Sequence, residues 1–375
     1  MSSLMILSFS TLESDPRVQR QIALFAERYD VTTVGFGPRP HPGVEHVEIP
    51  QGTRAWPSSK QHLLTGRYRG AYWSMSAVAA AHELLAEHVG TMDAVLANDV
   101  NTLPLALWLS PRRGVHADLH EYAPREKEHQ LAWRTFVAPY QRWLCRTCLP
   151  EVASVTTVSP GLAREYAARF GVDVEVVTNA SAHRDLPVRP TGAPIRLLHT
   201  GVARANRHLE AMIEAVRGLE GAVTLDLMLM PSEPGYIEHL RELAAEVPGA
   251  ALREPVPYAQ LVDTVAEYDV SLVVFPNSTF NLEHSLPNKL YEAVQGRTGV
   301  IVGPSPDMAD LVREHSLGAV LPAATAEAMH TELAALTPSR VDAWKRAADS
   351  SAQALSAERQ VLTWQAALER ILDRA

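Results

Sequence analysis

Between Phe280 and Arg297 the chain reads FNLEHSLPNKLYEAVQGR. His284, Ser285, Asn288 and Lys289 crowd around Pro287, and one carboxylate, Glu292, follows a turn later. Proline suits the first position of a helix, where its missing N–H would be unsatisfied anyway. A helix is therefore predicted to open at Pro287 and to stop at Gly296. The free N–H groups and positive dipole end of such a helix attract a phosphate, and Lys289 adds a full positive charge there. Ser285 and Asn288 can cap the turn or touch the ligand. Glu292, about one turn beyond Asn288 on the same face, can reach a neutral hydroxyl such as that of a ribose. A solvated helix face is the plainer reading of Glu292.

Other residues extend this chemistry. In TGVARANRHLEAMIEAV, Gly201 ends a strand pattern and Arg207 opens a helical one. Arg204 and Arg207 are thus expected beside the phosphate site, where guanidinium forks bind a diphosphate bidentately and offset charge on a departing one. In the first half, His120 and Glu121 follow the strand pattern GVHADL and are expected to face a ligand. The alternative for His120 is a histidine satisfied in a core, one of fifteen in the chain. Cys145 and Cys148 form a C-x-x-C. A zinc site needs four ligands and no second pair is present, so these two are read as small packing residues on a helix.

Short β-branched runs alternate with longer helical patterns, which predicts parallel α/β sheets. The strands expected in the first half are LMILSF, DVTTVGF, DAVLAND, GVHADLH, ASVTTVS and VEVVTN. Asp15 and Pro16 open the first helix, with Val18, Ile22 and Phe25 as its buried stripe. Past a proline-rich segment the alternation restarts with IRLLHTG, VTLDLMLM, ALREPV, VSLVVFP, GVIVGP and GAVLP. The expected fold is α/β, with two facing Rossmann-like domains: 1–183, a linker at 184–193, and 194–355. A final amphipathic helix, 356–375, is expected to cross back onto the first domain. The G-x-G-x-x-G fingerprint of dinucleotide binding follows neither first strand, which disfavours an oxidoreductase.

Composition narrows the classes further. The 375 residues are 46% hydrophobic and 21% charged, those of a soluble protein with ample core. A net charge of -9 gives no support to nucleic-acid binding. No run of eighteen apolar residues is present, and the N-terminus reads as a first strand rather than a signal peptide. A cytoplasmic location is the expectation.

Taken together, these stretches resemble the retaining glycosyltransferases of family 4, which have the two-Rossmann GT-B architecture. SDPRVQRQIALFAERYDVTTVGF resembles the family's first strand, loop and helix, and DLHEY, Asp118 to Tyr122, its D-x-H-E segment. LHTGVARANRHLEAMIEA and HSLPNKLYEAVQGRTGVIVG resemble the two donor-side segments, and these are the most specific. The resemblance spans essentially the whole chain. It implies transfer of a sugar from a nucleoside-diphosphate sugar, held by the C-terminal domain, to an acceptor held by the N-terminal one. Arg207 would contact the diphosphate, with Arg204 beside it, and Glu292 the donor ribose. Pro255 and Val256, in the segment reaching to Tyr258, would flank the base. Ser285, Leu286, Asn288 and Lys289 would complete the donor pocket. His120, Glu121 and Arg207 are the implied catalytic residues, with Asp15, Arg17, Asn98 and Tyr122 on the acceptor side. No metal or other cofactor is implied. One position departs from the family: His284 stands where the earlier of two glutamates commonly contacts the sugar, and a histidine there can still hydrogen-bond a sugar hydroxyl.

The acceptor's nature is open among a glycan, a lipid-linked acceptor and a small molecule. Between Ile49 and His82 there is no acidic residue, yet Arg54, Lys60, Arg67 and Arg69 occur with Trp56, Tyr68, Tyr72 and Trp73. Such a stretch, 54–73, can dock on an anionic membrane surface or bind an anionic acceptor; an ordinary loop and helix is the alternative. The remaining function classes are a sugar epimerase of similar two-domain form and a two-lobed binding protein.

Overall fold

The computed structural model describes residues 1–57 and 60–373. Of the basic-aromatic stretch, Ser58, Ser59 and the side chain of Lys60 lie outside the described residues, as do Arg374 and Ala375. Contacts divide the chain into two units. One contains Met1–Thr178, Thr279–Asn281 and Val361–Ala375; the other contains Asn179–Ser278 and Leu282–Gln360. The change at Thr178 precedes the proline-rich 184–193 segment, and residues 177–192 form neither helix nor strand.

In the first unit seven parallel strands form one sheet: β1 (Ser3–Thr11), β2 (Asp30–Phe36), β3 (Glu45–Glu48), β4 (Ala94–Asn98), β5 (Gly114–Leu119), β6 (Ser154–Thr157) and β7 (Val174–Val176). Their order is β3-β2-β1-β4-β5-β6-β7. The strands buried on both faces read as near-continuous apolar runs: Leu4 to Leu7 in β1 and Ala94 to Ala97 in β4 are all fully buried. The helix Pro16–Ala26 begins as the sequence predicts, with the Asp15 carboxylate accepting from the Arg17 and Val18 amides. Val18, Ile22 and Phe25 turn to β1. The helix Ala357–Leu372 lays Trp364, Leu368 and Ile371 against the same cluster, beside Leu4 and Ile6. Cys145 and Cys148 lie on the helix Ala138–Cys148 and are buried in apolar core.

The second unit repeats the pattern with β8 (Ile195–Val202), β9 (Val223–Met230), β10 (Ala250–Arg253), β11 (Val270–Val273), β12 (Gly299–Val302) and β13 (Gly318–Val320). Its order, β10-β9-β8-β11-β12-β13, is again all parallel. Both sheets reverse winding direction at one point, between β1 and β4 and between β8 and β11. Open α/β sheets bind ligands at the carboxyl ends of strands at that point. Among the described residues no helix is long and apolar enough to cross a membrane.

Candidate functional site

In the second unit, β8 ends at the winding reversal, and the chain after β11 returns to the same place. The helix there spans Asn288–Gln295, with Pro287 as its N-cap rather than its first helical residue. Pro287 has an extended ψ of 151, so the chain enters the helix one residue later than the sequence predicts. No side chain caps this turn. Ser285 Oγ instead donates to the Leu282 carbonyl at 3.1 Å. Arg207 likewise sits in a short 3-10 turn, Ala205–Arg207, ahead of the helix Leu209–Ala215.

These segments enclose two adjoining cavities. One, of about 360 Å³, is lined by His199, Gly201, Val202, Arg204, Arg207, Phe275, Leu282, Ser285, Pro287 and Lys289. The other, of about 390 Å³, shares Gly201, Val202 and Lys289 with it and adds Met228, Met230, Pro255, Val256, Tyr258, Asn288 and Glu292 among its walls. Eight of the ten residues predicted for the donor side thus line the two cavities. The remaining two pack nearby: Leu286 is buried in the core under the helix, and His284 places Nδ1 3.3 Å from Asp307 Oδ2.

The electrostatics divide along the same line. Lys289 donates from Nζ to the Thr200 carbonyl at 2.6 Å. The residue as a whole is half-buried. Desolvation, reinforced by Arg207 and opposed by Glu292, brings its pKa down to about 8. Arg207 stands over the Phe275 ring at 5.5 Å, and burial together with Arg204 lowers its pKa. Three cations therefore crowd one cavity without a carboxylate among its lining residues. Glu292 is buried, and desolvation pushes its pKa up to about 7 against the pull of Lys289. His199 lies beneath the site and was not predicted from sequence. Its Nδ1 donates to the Leu272 carbonyl at 2.8 Å, while burial and then Lys289 hold its pKa far below the usual value. It is a neutral imidazole, and its signal in the sequence was only its place at the end of RLLHTG. The arrangement can bind a diphosphate at the arginine side and a hydroxylated, flat group at the Glu292 side.

In the first unit, His120 follows β5. Its Nε2 lies 3.1 Å from Asn98 Oδ1, and its Nδ1 lies 3.5 Å from Asp99 Oδ2. Burial alone would lower its pKa, but Asp99 and Asp118 outweigh it and raise it. Asp99 was not predicted either. Its backbone sits at φ 65, strained for a non-glycine residue, and its carboxylate also accepts from the His120 amide at 2.9 Å. Glu121 is open to solvent at its outer side, yet desolvation and the neighbouring Glu126 and Asp99 push its pKa upward.

The residues expected on the acceptor side take mostly supporting places. Arg17 is buried and donates from Nε and Nη2 to Asp118 at 2.7 and 2.6 Å. Asp15 is the cap described above. Asn98 is buried and donates to Gln21 Oε1 at 2.9 Å. Tyr122 is buried with its ring against Tyr166.

No family model matches the chain, and no curated protein matches it in sequence. Solved structures do match its fold over nearly its full length. Sucrose-phosphate synthase from Thermosynechococcus elongatus aligns with a TM-score of 0.73 at 13% identity, covering 99% of both chains. An α,α-trehalose-phosphate synthase (UDP-forming) from Burkholderia vietnamiensis aligns at 0.69 and 12%, covering 100% of both. WaaG, a glycosyltransferase involved in lipopolysaccharide biosynthesis, aligns at 0.64 and 13%, covering 97% of this chain and 98% of that one. At such identities the likeness establishes a shared fold alone: two parallel sheets, each with its own helices, as in these enzymes.

Proposed function

We propose that the chain is a glycosyltransferase that moves a sugar from a nucleoside-diphosphate sugar to an acceptor with retention of anomeric configuration. The observation that carries the reading is the pair of adjoining cavities. Arg204, Arg207 and Lys289 meet in one, and Glu292 faces Pro255, Val256 and Tyr258 in the other. A diphosphate fits the cationic side, a ribose hydroxyl fits Glu292, and a nucleobase fits the apolar wall. The fold-mates named above include a UDP-forming synthase and two further sugar-transferring enzymes, which agrees with this reading.

In the reaction, the bond between the anomeric carbon and the diphosphate oxygen breaks and its electron pair leaves with the diphosphate, while an acceptor hydroxyl oxygen bonds the anomeric carbon on the same face and gives its proton to the departing diphosphate. Fixed cations at that oxygen stabilise the developing charge without reorganising. Three cations supply what a divalent metal could otherwise supply, so transfer is proposed to continue in EDTA. His284, held by Asp307, is proposed to meet a sugar hydroxyl. His120 and Glu121 are proposed for the acceptor side.

Thermal shifts against a panel of nucleoside diphosphates test the reading directly. One base should stabilise the protein, by about 2.7 kcal/mol at a hundred times its dissociation constant, and Arg207→Ala should remove the shift. No stabilisation by any member of the panel overturns the reading.

A further inference from the structure

A further cavity, of about 480 Å³, lies in the first unit and shares no lining residue with the two described above. Its walls are Trp56, Pro57, Leu63, Leu64, Trp133, Phe136 and Val137, with Lys127 and Gln130 at one side. The two indoles stack at 5.2 Å and 25°. Lys127 Nζ stands 5.5 Å from one ring and 5.2 Å from the other, so it covers both. Trp133 opens a single π-helical turn, Trp133–Val137; such turns are rare and frequent at functional sites. Large apolar side chains stay exposed around the mouth: Leu64 is 66% and Phe136 37% accessible. Exposed apolar patches rimmed by polar residues mark interaction sites or ligand-binding grooves.

We propose that this cavity binds a small molecule with a flat apolar ring and an anionic edge, serving as the aglycone end of the acceptor. Three observations choose that occupant. The volume lies in the range of cavities that enclose small ligands. The stacked indoles and Phe136 offer π-faces to a ring. Among the described residues the one charge on the walls is the Lys127 cation, and its partner Glu126, 3.2 Å away, lies outside the lining. The link to an acceptor is the chain itself: Lys127 and Gln130 belong to the segment that begins at Glu121, and the charge of Lys127 acts on the Glu121 carboxylate. Only the word acceptor rests on the glycosyltransferase reading; the binding site does not.

The test uses the full chain and 8-anilinonaphthalene-1-sulfonate, a flat apolar anion whose fluorescence rises in apolar surroundings. One molecule should bind per chain, saturably. Trp133→Ala should weaken binding at least tenfold and Lys127→Gln about threefold. Leu64→Asp, at an exposed position that leaves the fold unstressed, should also weaken it tenfold. Arg207→Ala should leave probe binding unchanged, and Leu64→Asp should leave nucleoside-diphosphate binding unchanged, so the two readings fail separately. Absence of saturable binding overturns the proposal, as does binding that neither Trp133→Ala nor Leu64→Asp alters. Co-sedimentation with phosphatidylglycerol vesicles that Leu64→Asp abolishes, without probe binding by the wild type, would also overturn it in favour of a membrane surface.

Discussion

Arg17 and Asp118, 101 residues apart, meet as a buried two-pronged ion pair, Nε to Oδ2 at 2.7 Å and Nη2 to Oδ1 at 2.6 Å. The Asp118 carboxylate also accepts from Gln21 at 2.7 Å, from Thr156 at 2.7 Å and from Trp364 at 3.2 Å. Its lone pairs are therefore filled by side chains from three separate elements, the helix Pro16–Ala26, β6 and the helix Ala357–Leu372, two residues before His120.

Asp118→Asn should destabilise the protein by about 3–5 kcal/mol, because it leaves Arg17 as a buried charge without its counterpart. Urea unfolding measures this, and a loss under about 1 kcal/mol would contradict it. Burial pushes the Asp118 carboxyl up, but Arg17 and His120 outweigh that and hold it well below the usual range. A depressed folded pKa adds stability above the unfolded value, about 3.9, and that stability is lost as pH falls through the folded value. The gap between wild type and variant should therefore be constant at neutral pH and close only below about pH 4.

Lys289 predicts how donor binding varies with pH. A diphosphate needs the ammonium charged, and in the free protein that charge is lost as pH rises through about 8. Affinity for the preferred nucleoside diphosphate should thus fall between pH 7 and 9.5, approaching about tenfold per pH unit at the alkaline end. Lys289→Met should bind more weakly and with a flat profile over that range. Calorimetry at several pH values decides, and a flat wild-type profile removes Lys289 from the site.

Glu292→Gln should separate stability from function. The folded pKa of Glu292 is raised to about 7. A raised acid is a cost that grows from the unfolded value, about 4.3, up to the folded one, and it persists above. At pH 8 the variant should therefore be more stable by about 1–3 kcal/mol. The same change replaces a charged acceptor to the ribose, so nucleoside-diphosphate affinity should fall roughly tenfold or more. Differential scanning and calorimetry on one preparation give both numbers. A variant with wild-type affinity would show that Glu292 does not touch the ligand.

Gly201 is the fourth test. A Cβ added there would stand 2.9 Å from Lys289 Nζ. The ammonium ends a flexible chain and can move, but it must leave the Thr200 carbonyl and the cavity wall, and Gly201 sits at φ 156, where a side chain strains the backbone. Gly201→Ala should weaken nucleoside-diphosphate binding by about tenfold, or 1.4 kcal/mol, and lower the melting temperature through the backbone strain. Unchanged affinity would mean that the site does not depend on the position of Lys289.

Twelve of the thirteen strands are visible in the sequence because buried parallel strands are unbroken apolar runs bounded by turns. β3 is not: its residues, EHVE, place Glu45 and Glu48 in solvent at the sheet's edge, so no apolar run marks it. The donor-side residues are legible where helix-opening chemistry clusters them, around Pro287. His199 and Asp99 escape notice because their roles come from contacts across the sheet, with Leu272 and His120, that no local spacing encodes. Arg17 shows the converse. Its place on the acceptor side was implied by resemblance alone, and nothing local to the helix start signals that the buried Asp118, far along the chain, turns it inward.

The helix Ala357–Leu372 has a consequence for how the protein comes off the ribosome. Trp364 donates to a carboxylate made 246 residues earlier, and Leu368 and Ile371 cover Leu4 and Ile6 of the very first strand. At about 5–20 residues per second, the first sheet waits roughly 12–50 s for its last wall. During that interval its apolar face is open to chaperones, and a fragment released after Thr178 would never close it.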